Sequence, residues 1–224
     1  KRIDFENGTV TGNILGAALP MLVAQIFELL YNIVDRIYIA RIPGCGTAAL
    51  GAVGLCFPLI VILSAFANLF GSGGAPPFSI YRGKKGNRTG KLHHEHILLQ
   101  WYVSVPPLLM TIGLDFWPVP LLVLFGASAD ALVYAYPYMM LYLIGTLPSM
   151  IAVGMNPFIN AQGYSLVGMC SVAIGAAANL LLDPLFIFAF GLGVQGAAVA
   201  TVLSQLLSAS FVLHFPDEKG GAEG

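Results

Sequence analysis

Between Lys91 and Lys219 the chain has no lysine or arginine, a gap that takes up more than half of its 224 residues. A soluble domain carries about 25% charged residues, which it needs to cover a water-facing surface. Here 9% of the residues are charged and 57% are hydrophobic, with a mean hydropathy of +0.81. Too few polar side chains remain to coat a large soluble core, and that class is excluded. The chain must fold with lipid as its main solvent.

A bilayer core about 30 Å thick takes roughly 20 helical residues per crossing. Six segments meet that length, near residues 14–40, 48–80, 97–125, 131–158, 164–190 and 194–215. The expected fold class is therefore all-α, a polytopic membrane helix bundle with about six transmembrane helices. Several segments run long, which tilt or extension into the interface accommodates. Half of the basic residues, Arg82, Lys84, Lys85, Arg88 and Lys91, fall between the second and third segments. The positive-inside rule puts that loop, and Lys1 with Arg2, on the cytoplasmic side. The amino terminus is then inside, and six crossings return the carboxyl terminus to the same face. The loops at 41–47 and 126–130 carry only Arg41 and Asp130, which suits the outer face.

Other features have ordinary readings. Cys45, Cys56 and Cys170 are odd in number and far apart, so they read as small packing residues rather than a disulfide framework. The glycine- and alanine-rich runs at 51–54, 71–75, 175–179 and 196–201 let helices approach closely in lipid. "GSGG" lacks the Lys-Ser/Thr of a phosphate loop. Lys1 and Arg2 before an apolar segment resemble a signal peptide, but that segment is too long, has no clear cleavage site and is followed by further spans. The absent initiator Met suggests a trimmed start.

Ionisable groups inside spans are costly, and they mark function by default. Glu28, Asp35 and Arg36 lie in the first segment, Asp115 in the third and Asp183 in the fifth. Glu28, Asn32 and Asp35 recur at i, i+4, i+7, with Tyr31 alongside, so a helix places them on one stripe. Arg36 and Arg41 can snorkel to the outer interface, or Arg36 can pair locally with Asp35. Asn179 and Asp183 share a face one turn apart, and Pro184 cannot donate to the carbonyl of Leu180. Three oxygens thus gather within one turn. Hard cations such as Na⁺ take oxygen ligands, and a desolvated carboxyl otherwise takes up a proton. The plainer alternative is a kink whose aspartate bonds a neighbouring hydroxyl.

"HHEH" at 93–96 looks like a metal cluster, but consecutive histidines do not share a helix face and no matching ligand group follows. His214 sits near the cytoplasmic interface and needs no role. The nucleophile-elbow, zincin and Walker templates are absent, so no enzyme is expected. Intramembrane aspartyl proteases carry a Gly-x-Gly-Asp signature that "LLLD" lacks.

The run "ALPMLVAQIFELLYNIVDRIYIARIPGCGTAALGAVG" resembles the opening of a MATE-family (multidrug and toxic compound extrusion) transporter. "NPFINAQG" at 156–163 is similar to that family's fourth-helix ending, and "NLLLDPLFIF" with "GVQGAAVATVLSQ" to its fifth and sixth helices. The resemblance covers most of residues 12–90 and 121–213. It implies one amino-terminal lobe of a two-lobe antiporter in the cytoplasmic membrane of a bacterium, exporting organic cations or other amphipathic compounds against Na⁺ or H⁺. It implies a cation or proton site at Asp35, Asn179, Asp183 and Thr201, with any metal limited to Na⁺ at Asp183. Glu28, Tyr31, Asn32, Asn156 and Asn160 are the expected substrate-cavity residues, and Pro20 and Pro184 the expected helix bends. No cofactor beyond the coupling ion is implied. The expected partners are membrane lipid, a small organic and cationic substrate, and the missing carboxyl-terminal lobe, with no nucleic acid.

Residues 1–12 read as a cytoplasmic tail, 13–215 as the bundle and 216–224 as an atypical tail. Residues 91–118 also depart from the family, crowding Pro106, Pro107, Pro118, Pro120 and Asp115 into a presumed helix. One codon choice for His93 to Ile97, CAT CAT GAA CAC ATC, shifted by one base reads Ile-Met-Asn-Thr-Ser, as family sequence does. The tail from Phe215, shifted likewise, begins Phe-Arg-Met-Lys-Lys-Ala-Glu-Leu, a basic linker. A frameshifted, truncated reading of a longer gene is therefore expected. The rival functions are a non-transporting fragment and a flippase for a lipid-linked precursor, the latter needing a strongly cationic cavity.

Overall fold

A computed structural model describes Ile3 and residues 9–83 and 118–214. Among these residues all regular structure is helical: α1 (Val10–Ala40), α2 (Gly46–Gly83), α3 (Pro118–Leu124), α4 (Ala129–Ile144), α5 (Thr146–Ala161), α6 (Ser165–Pro184), a π-helical turn (Leu185–Ala189) and α7 (Val194–His214). The "HHEH" run, Asp115, most of the third expected span, the codon-shift segments and the basic loop beyond Gly83 lie outside the described residues.

Local chemistry sets the helix starts. Thr9 caps α1 by accepting from the Gly12 N–H at 3.3 Å, and Ser128 caps α4 from Ala131 at the same distance. The turn from α5 to α6 closes when the Tyr164 N–H donates to the Ile159 carbonyl at 3.2 Å. That path needs Gly163 at φ 87°, a conformation most side chains resist.

Four helical segments are long and apolar enough to cross a membrane: Val10–Ala40, Gly46–Pro77, Ser165–Ala189 and Val194–His214. The fourth expected span, 131–158, is instead two helices, α4 and α5, bent by 55° across Gly145. Counting that pair as one crossing gives five among the described residues, against the six expected. The bend has a local cause. Pro148 has no N–H for the Ile144 carbonyl, and the Thr146 hydroxyl donates to the Tyr142 carbonyl at 3.3 Å beside the break.

The bundle is sewn together by small residues. Along α2 the residues Ala49, Ala52, Cys56, Leu59 and Leu63 are all at most 3% exposed, a three-four-three-four spacing that keeps one seam inward. That seam meets α4 through Ala135, Met139 and Leu143. α2 also crosses α5, so closely that a Cβ on Gly71 would strike the Gly154 backbone. α1 packs against α6, α6 against α7, and α7 against α4 and α5. Leucines such as Leu15, Leu19, Leu22, Leu124 and Leu181 are exposed, as lipid-facing positions should be.

α1 runs as one helix through Pro20. At Pro184 the outcome differs: α6 ends there and the chain widens into the π-helical turn, where the Phe190 N–H reaches back to the Leu185 carbonyl at 2.9 Å. The Leu192 N–H then donates to Phe186 at 3.1 Å, folding the loop onto the turn. Gly196 of α7 lies directly against this backbone.

Candidate functional site

Asn179 and Asp183 occupy the inner face of α6 and are 2% and 0% exposed. The Asn179 amide donates both to the Asp183 Oδ1, at 3.3 Å, and to the Thr201 Oγ1 on α7, at 3.4 Å. Thr201 gives its own hydrogen to the Ala197 carbonyl at 2.9 Å, so it turns a lone pair toward Asn179. Asp35 reaches in from α1, its carboxyl within direct interaction distance of Asp183. The four residues read as one site from the sequence are thus neighbours from three helices.

The polar groups in this cluster do not balance. Asp35 Oδ1, Asn179 Oδ1 and Asp183 Oδ2 are all shut away from solvent and meet no protein donor, while the Asp35 and Asp183 carboxyls lie close enough to share one added hydrogen. A buried acceptor left unpaired costs about 1–3 kcal/mol, more when it is charged. Three such oxygens beside a hydroxyl form a set that a bound hard cation or an added hydrogen would satisfy. Among the described residues no group of three or more His, Cys, Asp or Glu is arranged to hold a metal ion, so any cation here must rely on amide and hydroxyl oxygens too.

The local Asp35–Arg36 pairing does not form among the described residues. The Arg36 guanidinium carbon instead stands 5.0 Å from the ring centroid of Phe57 on α2. Adjacent helical residues point about 100° apart, which keeps the two groups from forming an ion pair while leaving Asp35 within electrostatic reach of the guanidinium.

A cavity of about 950 Å³ lies beside the acidic cluster, walled mainly by α1, α2, α5, α6 and α7. Glu28, Tyr31, Asn32, Asn156 and Asn160 all line it, as does Thr201. Asp35, Asn179 and Asp183 do not, so Thr201 forms the boundary between the cavity and the buried acids. Several of these side chains are already engaged. The Asn32 amide donates to the Glu28 carbonyl at 2.7 Å, Asn156 to the Gly168 carbonyl at 3.3 Å and Asn160 to the Asn156 Oδ1 at 3.4 Å.

Sequence reasoning missed Tyr138 and Tyr142 on α4. Tyr138 is 4% exposed and lies within electrostatic reach of both Asp35 and Asp183, while its ring stacks on Tyr142 with centroids 6.2 Å apart. Tyr142 reaches the cavity wall. The signal was present as tyrosines at 134, 138 and 142, four residues apart in an apolar run.

The family profile MatE matches residues 20–185. The chain is 24% identical over 215 residues to the multidrug export protein MepA of Staphylococcus haemolyticus, covering 96% of this chain and 47% of MepA. It is 30% identical over 202 residues to a FAD transporter of Shewanella oneidensis, covering 88% of this chain and 43% of that protein. A crystal structure of MATE in the straight conformation superposes with a TM-score of 0.81 at 26% identity, over 93% of this chain and 45% of the other. A MATE structure in the bent conformation gives 0.79 at 26% identity over the same shares. The chain therefore spans a little under half the length of the relatives it matches.

Proposed function

The chain belongs to the MatE family, and from that premise we propose that it forms the amino-terminal lobe of a cation-coupled antiporter exporting small amphipathic compounds. Family members are transporters, not enzymes, and the relatives compared above are named for export or transport. The chain is a multi-pass membrane protein. In the proposal it lies in the cytoplasmic membrane of a bacterium with its amino terminus inside and works against an opposing lobe.

The observation that carries the coupling role is the set of unpartnered buried oxygens on Asp35, Asn179 and Asp183. Buried oxygens of this kind lack compensating donors, and an entering Na⁺ or proton would supply that compensation reversibly. Thr201 lies on both the site and the cavity wall, so occupancy of one is felt at the other. Loading would then shift the lobe between inward- and outward-open states, with α1 and the turn after Pro184 as the moving parts.

A two-lobe protein containing this chain, reconstituted in liposomes, tests the reading directly. Ethidium should move against an imposed Na⁺ or H⁺ gradient and stop when both gradients are collapsed. Ethidium movement that ignores both gradients would end the proposal.

Thr201→Val removes one oxygen ligand while keeping the side-chain volume. Losing one hydrogen-bonding group of this kind costs about 1 kcal/mol, which is roughly a fivefold weaker affinity for the coupling cation. Calorimetric titration of the purified chain reads that shift, and unchanged affinity would remove Thr201 from the site.

A further inference from the structure

The break between α4 and α5 lies astride α7, which packs against both arms. Two side chains of α7 press on it. A Cβ on Gly145 would strike a methyl of Val202 and come within 3.3 Å of the Gln205 Oε1. Glycine is needed there for close approach rather than for conformation, since its φ is an ordinary −77°. Gln205 also reaches α4, its amide lying within hydrogen-bonding reach of the Tyr142 phenol in that helix's last turn. One end of the amide thus faces the phenol. The other, Oε1, faces the break, shut away from solvent and without a partner.

A candidate partner stands one turn further on. Ser149 follows Gly145 by four residues, and its N–H donates to the Gly145 carbonyl at 3.0 Å, so the chain is already helical there. The two residues therefore point to the same side, and for Gly145 that side is α7. Ser149 and Gln205 both line the cavity, and the Ser149 hydroxyl bonds none of the described residues. A hydroxyl both donates and accepts, so it suits either end of an amide. At the observed bend of 55° no hydrogen bond joins the two.

Gln205 also follows Thr201 by one turn, about 6 Å along the same face of an unbroken helix. Thr201 accepts from the Asn179 amide, which also holds Asp183. A cation drawing on the Thr201 oxygen would move that turn of α7, and Gln205 with it. We propose that Gln205 is a positioning residue that carries occupancy of the Asp183 site to the α4–α5 bend, by making or releasing a hydrogen bond to Ser149. The bend is then a moving part of the lobe, a two-state element that the ion site biases. The inference rests on the reading of Asp35, Asn179, Asp183 and Thr201 as the coupling site.

Nitroxide labels on Val133→Cys of α4, an exposed position, and Met155→Cys of α5, a half-buried one, report the bend as a distance. The background carries Cys45→Ala, Cys56→Ala and Cys170→Ala. Pulsed dipolar spectroscopy reads the distance on the purified chain in lipid nanodiscs, in KCl, with NaCl in its place, and at mildly acidic pH. Whichever cation raises the melting temperature should shift the distance by about 2 Å, as a change of about 25° in the bend requires for arms of this length. Gln205→Leu and Ser149→Ala should each remove the shift, the double variant should match either single one, and Ser149→Thr should keep it. All these variants should retain the cation-dependent rise in melting temperature, which shows that fold and ion site survive. The proposal is overturned if the wild-type distance stays fixed while its melting temperature responds, or if Gln205→Leu keeps the shift. A melting temperature blind to both Na⁺ and acid would instead remove the coupling site, and this inference with it.

Discussion

Asp183→Asn should abolish cation-coupled ethidium efflux, by about a hundredfold or more, in a two-lobe protein that carries this chain, while membrane insertion and fold survive. The reasoning is geometric. The substitution keeps the size of the side chain and can still offer an oxygen to the Asn179 amide, now 3.3 Å from the Asp183 carboxyl. In place of Oδ2, however, it supplies an N–H₂ group that can point at Asp35, whose Oδ1 has no partner. The variant satisfies internally the oxygen that a cation satisfies in the wild type, so the site no longer needs to be filled. A ligand that binds only the folded state raises stability as its concentration rises. The wild-type melting temperature should therefore climb with the coupling cation, and the variant's should not. Efflux at the wild-type rate, or a cation-dependent melting temperature in the variant, would sink the assignment.

Gly196→Val should cost the largest amount of stability of any single change near the site. A Cβ at this position meets the Phe186 carbonyl group and the Ile187 nitrogen, which are backbone atoms of the π-helical turn. Backbone held by its own hydrogen bonds cannot move aside as a flexible side chain would. Overpacking of this kind costs about 3 kcal/mol. For a chain of this size that corresponds to a fall of roughly 10 °C in melting temperature. The turn follows Asp183 by two residues, so forcing it outward should also weaken cation binding. Gly51→Ala provides the contrast, since nothing lies within 4 Å of its added methyl. It should melt at or slightly above the wild type, as alanine favours helix. A Gly196→Val chain that melts with the wild type in detergent would show that α7 does not rest on the turn.

How much of this was legible depended on whether the signal was local. Asp183 in an apolar run, one turn after Asn179, is readable from a few residues because burial of a carboxylate is costly wherever it occurs. Thr201 was not readable in that way. A threonine donating to the carbonyl four residues back is an ordinary helix habit, and only the family resemblance singled it out. Tyr138 was hidden for a similar reason, because a tyrosine in a membrane helix rarely needs a polar explanation. The sequence left Arg36 free to snorkel or to pair with Asp35. No ion pair forms between the two, because adjacency in sequence is not adjacency on a helix. The ring that Arg36 meets, Phe57, belongs to another helix, although the guanidinium charge still acts on Asp35. The break at Gly145 left a trace in Pro148, yet the hydrophobic pattern runs through it without interruption. Only the packing of α4 and α5 against different neighbours turns that weak point into a 55° bend.

That bend also determines how the lobe fits its solvent. The two helices hold 16 residues each, so end to end they would be about 48 Å long if straight, well beyond a hydrocarbon layer of about 30 Å. With one half upright and the other leaning at 55°, the height falls to about 38 Å. The kink is thus a length adjuster. It lets a single apolar strip both wall a cavity and stay within the membrane, and it makes the thickness of the surrounding lipid one of the variables that sets the angle between α4 and α5.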